Sequence, residues 1–250
     1  MPQQTNKPIV RVTTIEAYRR YMEQSDADLY EITEQSIIDN VTGAFEGNEY
    51  TRIGSAFHAI VETGQQPCTL APAGYRNFTY YGKPVQEPLP EGRTFDIDGY
   101  KVTLDMEQIR VALDYRYEHI DAFHEVRKYK DYGRVIVTGC ADVIDGVQLR
   151  DIKTKFSQPQ DKQYYDTCQW RYYMELFGAD TFDFDLFVFD GYKTDKHGYD
   201  VRGLKLTPYR PSIRVFRYKG MEQDNINLLN SFLDWCEARG LMQYLYRTKF

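Results

Sequence analysis

Residues 182–189 read FDFDLFVF: strict alternation of apolar and acidic positions, then an unbroken apolar run. That is the pattern of a strand that starts half-exposed and ends in a core. β-type patterns also cover Phe123–Tyr129, Arg134–Ile144 and Val147–Lys153, with further strands expected at Val201–Leu206 and Ile213–Tyr218. Helical spacing marks the rest. Thr13–Met22 predicts a helix with Thr13 or Thr14 as N-cap, and Ile32–Asp39 a second. Gly54–Gly64 (GSAFHAIVETG) predicts a helix capped by Ser55, ended by Gly64, with Phe57, Ile60 and Val61 as its apolar stripe. Leu104–Ile120 predicts another, and residues 160–177 an amphipathic helix stopped by Gly178. Met221–Arg239 predicts a strong closing helix, with an outer bound of 221–247. Residues 65–100, rich in Pro and Gly, read as an irregular surface excursion closed by a small hairpin at Asp98-Gly99. This order predicts an α/β (α+β) fold, a central mixed β-sheet flanked by helices. One domain over 1–250 is expected, with its motif core at 54–178.

The segment Gly139–Lys155 (GCADVIDGVQLRDIKTK) concentrates the chemistry. Asp145-Gly146 predicts a tight two-residue hairpin turn. With that turn, Ile144 faces Val147 and Asp142 faces Leu149. Asp151 is then the diagonal neighbour of Asp142 on one face, and Lys153, two further on, shares it. Two acids and an ammonium on one sheet face are costly in an ordinary core. A phosphodiester-cleaving metal site requires that combination. Alone, the trio also reads as a surface salt-bridge cluster.

Composition narrows this picture. The chain has 250 residues, 42% hydrophobic and 27% charged, as in a soluble globular protein. No run approaches a membrane span, and the N-terminus MPQQTNKPIVRV has no apolar h-region, so no secretory signal and a cytoplasmic location are expected. The formal net charge of −6 disfavours a general nucleic-acid binder. A nuclease needs only an acidic centre and a local basic rim, for which Arg127–Lys130 and Arg210–Lys219 are candidates. Cys68, Cys140, Cys168 and Cys236 form no CxxC, which argues against zinc or iron–sulfur and for free thiols.

Two further segments bear on the hairpin. His58 lies on a predicted helix with Glu62 one turn later, and its imidazole can ligate a metal. Tyr165, Gln169, Tyr172 and Tyr173 fall on one predicted helical stripe. A packed aromatic face suits Tyr172. Gln169 needs polar partners, and could position water or phosphate. Tyr165 and Tyr173 could donate to a phosphate or stack on a base. Mg²⁺ takes oxygen ligands, which Asp142, Asp151 and the Ile152 backbone carbonyl can supply.

In this order, Gly54-x-x-x-His58, Gly139-x-x-Asp142, Asp151-Ile-Lys153-Thr154 and Gln169-x-x-x-Tyr173 resemble the PD-(D/E)xK nuclease superfamily, nearest its RecB-like and phage-type exonuclease branch. The resemblance spans roughly residues 54–173. It implies a restriction-endonuclease-like core with the active hairpin at its middle. It implies His58, Asp142 and Asp151 as metal ligands, with Glu125 as an acid near the metal. Lys153 would be the catalytic lysine and Gln169 a catalytic helix residue. Ser55, Thr154, Tyr165 and Tyr173 would lie near substrate. The implied cofactor is Mg²⁺, with Mn²⁺ as substitute. Relatives with an iron–sulfur cluster carry clustered late cysteines; here only Cys236 lies there, so no such cluster is expected. The implied activity is a DNA exonuclease of recombination, repair or phage DNA processing, with DNA ends and a recombination or single-strand-binding protein as partners. The implied assembly is a monomer or a homo-oligomer, ring trimers included. A structure-specific or restriction-type endonuclease, an inactive DNA-binding module and a non-nuclease metal hydrolase remain open.

Overall fold

The computed structural model describes residues 7–24, 32–65 and 67–246. The N-terminal residues 1–6, where the secretory reading began, lie outside the described residues, as does 247. In chain order the elements are β1 (Ile9–Arg11), α1 (Val12–Glu23), α2 (Glu34–Thr42), α3 (Glu49–Thr63), β2 (Cys68–Ala71), β3 (Gly74–Tyr80), β4 (Lys83–Leu89), β5 (Gly92–Ile97), β6 (Tyr100–Asp105) and α4 (Met106–Glu118). They continue with β7 (Phe123–Asp131), β8 (Ile136–Asp145), β9 (Gln148–Lys155), α5 (Lys162–Tyr165), α6 (Gln169–Phe177), β10 (Thr181–Phe189), α7 (Thr194–His197), β11 (Leu206–Phe216) and α8 (Met221–Ala238).

The architecture is mixed α/β. A central six-stranded mixed sheet runs β1-β8-β9-β10-β11, with β7 also paired to β8. Helices cover both faces, an arrangement consistent with a restriction-endonuclease-like core. One core joins α1, α6 and α8 to one side of the sheet through Ile15, Tyr172, Phe182, Phe184 and Phe232. The other joins α3, α4, β5 and β6 to the opposite side through Phe57, Leu104, Val143, Ile152 and Phe187. The FDFDLFVF run is β10, and from Phe182 onward it is covered on both faces: its start is buried rather than half-exposed, with Asp183 paired to Arg214 and Asp185 to Arg150.

Several boundaries differ from the sequence reading. Helix α1 starts at Val12 with Arg11 as N-cap, so Thr13 and Thr14 lie inside it. Helix α3 starts five residues before Gly54: Asn48 and Thr51 form a capping box there, and Ser55 is mid-helix, its hydroxyl bonded to the Thr51 carbonyl. Gly64 does end it, in the left-handed region at φ 67°. The supposed irregular excursion is β structure, a β2-β5-β6 sheet and a β3-β4 hairpin. Pro84 and Pro88 fit β4 because a two-stranded sheet leaves each strand one open edge. The Asp98-Gly99 hairpin is present between β5 and β6. The 160–177 helix is broken into α5 and α6; the strand expected at 201–206 is turn and loop up to Lys205, and the strand expected at 213–218 is the second half of a longer edge strand, β11. The closing helix ends at Ala238, and a 3-10 turn over Met242–Tyr246 follows.

Candidate active site

The turn of the β8–β9 hairpin comes one residue later than expected, which shifts the pairing by two residues and keeps each side chain on its face. Ile144 faces Leu149 and Asp145 faces Gln148, so the turn residues are Gly146 and Val147. Gly146 takes φ 60° and Val147 is fully turned to solvent. The offset sets Asp142 opposite Asp151 if the ladder is extended one step, but the ladder stops at Val143↔Arg150. On its other edge β8 pairs with β7 from Ile136 to Ile144, except at Asp142. On the β9 edge, β1 takes residues 136–138 and β9 takes 143–145. Residues 139–142 are left as a notch.

Backbone groups freed in a notch need other partners. Here side chains from both helical layers supply them. The Ile152 N–H donates to Asp142 Oδ2 at 2.7 Å. His58, from α3, lies with Nε2 3.0 Å from the Ile152 carbonyl. A carbonyl only accepts, so Nε2 carries a proton and Nδ1 is the nitrogen turned toward the cluster. Nδ1 faces Asp142 Oδ2 at 3.8 Å. Tyr173, from α6, donates its hydroxyl to the Cys140 carbonyl at 2.9 Å.

Strand β8 also changes face here. Ala141 packs with the α6 side and Val143, two residues on, with the α3 side. Opposite Asp142 stands Glu125, whose φ of 51° is uncommon for a side-chain-bearing residue. The β7–β8 register continues across this pair, but the pair itself is skipped. Strain of this kind often marks functional positions. The Cys140 thiol donates to Glu125 Oε2 at 3.3 Å. As a result, one ligand atom each from His58, Glu125 and Asp142 lies within 4.8 Å of the others.

Asp151 adjoins this cluster and is 2% exposed. Its Oδ1 accepts from Gln169 Nε2 at 2.7 Å. Its Oδ2 meets the Lys153 ammonium as an ion pair at 2.7 Å. Burial raises the Asp151 carboxyl above the ordinary carboxylate range; Lys153 opposes this, and the Asp142 carboxylate adds to it. For Lys153, burial pulls downward, yet the carboxylates of Asp151 and Asp142 win and hold the ammonium charged.

Close packing of the helices makes this convergence possible. A Cβ on Gly54 would stand 2.9 Å from Thr154 Oγ1, so α3 lies directly on β9 and Thr154 is turned against that glycine. A Cβ on Gly139 would stand 3.0–3.2 Å from Leu176 and Tyr173, so α6 lies directly on β8.

Some expected residues fall elsewhere. Tyr165 sits on α5, half exposed and off the Gln169 stripe. Ser55 is exposed, its hydroxyl committed within α3. Tyr173 is buried against Phe177 and Phe182, so its ring is closed to a stacking base. The Ile152 carbonyl is taken by His58 rather than turned to a ligand position. Gln169 is bonded to a carboxylate rather than open to substrate. In the expected basic rim, Arg210, Arg214 and Arg217 are paired with Glu118, Asp183 and Glu222. Sequence reasoning passed over Lys155 and Tyr164, although the lysine repeats the Lys153 position two residues on.

Two solved structures are similar to the chain as a whole. One is a candidate exonuclease from Eubacterium rectale, 11% identical, covering 98% of this chain and 84% of its own, with a TM-score of 0.46. The other is a phage-related exonuclease from Haemophilus somnus 129PT, 12% identical, covering 95% of this chain and 93% of its own, with a TM-score of 0.43. No family model and no curated protein matches the chain. Among the described residues no helix is long and apolar enough to cross a membrane.

Proposed function

We propose that this chain is a divalent-metal-dependent nuclease that hydrolyses DNA phosphodiester bonds, working from strand ends. The observation that carries the reading is the notch: an imidazole, two carboxylates and a buried acid–lysine pair meet where β8 and β9 part. The donor set fits a hard cation such as Mg²⁺ or Mn²⁺, with carboxylate oxygens and one imidazole nitrogen. Asp151 Oδ2, buried and turned to the Lys153 ammonium at 2.7 Å, stands where a cation's charge is already compensated by this carboxylate.

His58, Glu125, Asp142 and Asp151 would hold the ion, which when bound polarises the phosphate and lowers the pKa of an attacking water. The chain's own residues do the rest. The Ile152 carbonyl fixes the His58 tautomer. Gln169 fixes the plane of the Asp151 carboxylate. Lys153, held charged, neutralises negative charge that builds on the phosphate in the transition state. A module that only bound DNA would gain nothing from converging acids, which repel phosphate. Action on ends rests on the motif resemblance.

End-labelled linear single- and double-stranded DNA, and closed circular DNA, are incubated with Mg²⁺ or with EDTA. Mg²⁺-dependent shortening of linear DNA with circles intact is expected. Nicked circles would make it an endonuclease, and no cleavage of any DNA would refute the reading.

A further inference from the structure

Lys155 is a second cation on the face of β9 that carries Asp151 and Lys153, about 6.6 Å beyond Lys153 at two strand rises. Lys153 is matched by carboxylates. Among the described residues Lys155 makes neither an ion pair nor a hydrogen bond. Its ammonium stands 5.6 Å from the centroid of the Tyr164 ring. Arg20, exposed in the last turn of α1, is also without an ion pair among the described residues. Burial lowers the Lys155 pKa, and the neighbouring charges of Lys153 and Arg20 lower it further. Glu16 of α1 accepts from the Cys168 N–H at 2.8 Å, and Arg20, one turn later on that face of α1, is thereby carried toward the α5–α6 segment that holds Tyr164.

Tyr164 adds an independent observation. It is 6% exposed, and its hydroxyl has no hydrogen-bond partner. Its ring lies under the Lys155 ammonium, next to the face of β9 that carries Asp151 and Lys153, and burial together with the Asp151 carboxylate raises the phenol pKa. A buried hydroxyl without a partner and a half-buried cation without an anion are each unfavourable. One ligand with several acceptor oxygens satisfies both.

We propose that Lys155, Arg20 and Tyr164 form a subsite for a backbone phosphodiester of the substrate strand, one nucleotide away from the bond addressed by Lys153. The assignment rests on the nuclease reading and extends it to how the strand is placed. Two strand rises are comparable to one phosphate-to-phosphate step along a stretched strand. The contact is the same before and during reaction, so it serves binding and register rather than chemistry.

The test is binding of a fluorescein-labelled single-stranded DNA, followed by anisotropy against KCl at a fixed Ca²⁺ concentration. Each lost phosphate contact should flatten the log–log salt slope by about 0.7. Lys155→Ala and Arg20→Ala are each expected to bind about tenfold more weakly with that flattening. Lys155→Arg should keep the wild-type slope. Tyr164→Phe should weaken binding with the slope unchanged. Lys83→Ala, a cation on the distant β3-β4 hairpin, should behave as wild type. Wild-type slopes for both Lys155→Ala and Arg20→Ala would overturn the subsite and leave the nuclease reading standing. An equal flattening for Lys83→Ala would also overturn it, by showing general charge loss. A wild-type chain that does not bind the DNA would overturn both.

Discussion

Gln169 and Asp151 are joined across two layers of the fold: the amide at the start of α6 donates to the buried carboxylate of β9 at 2.7 Å. The bond fixes one carboxylate oxygen and leaves the other to Lys153 and the cluster beside it. Outer partners of this kind typically contribute about 10–100-fold to metal affinity or activity. Gln169→Ala is expected to lower the cleavage rate within that range and, by leaving a buried carboxylate oxygen without its donor, to lower stability by about 1–3 kcal/mol. Steady-state kinetics with a melting curve on the same sample measures both.

Lys153→Ala removes the positive charge beside the phosphate and keeps the acids. A loss of about 10²–10³ in kcat is expected, the scale of one transition-state-stabilising donor. DNA binding measured by anisotropy should change far less. Equal losses in kcat and in affinity would assign Lys153 to binding alone.

Gly139 lets α6 lie against β8. Gly139→Val would press on Tyr173 and Leu176 and displace the helix that carries Gln169. Overpacking of this kind costs about 1–3 kcal/mol, readable by urea denaturation. Cleavage should fall in the fraction that remains folded. Gly146→Val, at the hairpin turn, should destabilise through its positive φ with less effect on the folded fraction's activity.

Glu16 ties α1 to the start of α6, accepting from the Cys168 N–H at 2.8 Å and pairing with Arg19. Burial raises its pKa, but the Arg19 bond and charge and the Cys168 N–H outweigh that, and the net shift is downward. The folded chain thus binds fewer protons at Glu16 than the unfolded chain. The stabilisation is complete above the unfolded carboxylate pKa and is lost as pH falls through the lower folded value. Glu16→Gln should be less stable than wild type at pH 7, by about 1–3 kcal/mol. The gap should narrow on acidification below pH 4.5, the ordinary value for a glutamate. A gap that stays constant down to strongly acid pH would contradict the assignment.

Much of the fold was legible because burial writes itself into periodicity. β10 could be read from FDFDLFVF, and Gly64 and Gly178 as helix ends, since each takes a left-handed conformation there. The shared face of Asp142 and Asp151 was legible despite a one-residue error in the turn, because both acids lie beyond it. The rest depended on tertiary contacts. Whether Gln169 meets water or Asp151 is settled by the packing of α6 on Gly139, which no local pattern encodes. The positive φ of Glu125 and the change of face in β8 are backbone choices with no compositional mark. Pro-rich β4 and β11 were misread because proline signals loops, whereas an open strand edge tolerates it.

Mn²⁺ titration by calorimetry into wild type, Asp142→Asn and His58→Ala tests the notch as a metal site most directly. Asn at 142 keeps an acceptor for the Ile152 N–H, so the fold is retained while a ligand charge is lost. A binding isotherm in wild type that is abolished or weakened at least tenfold in both variants is predicted. No heat in wild type, or the same isotherm in all three, would contradict it.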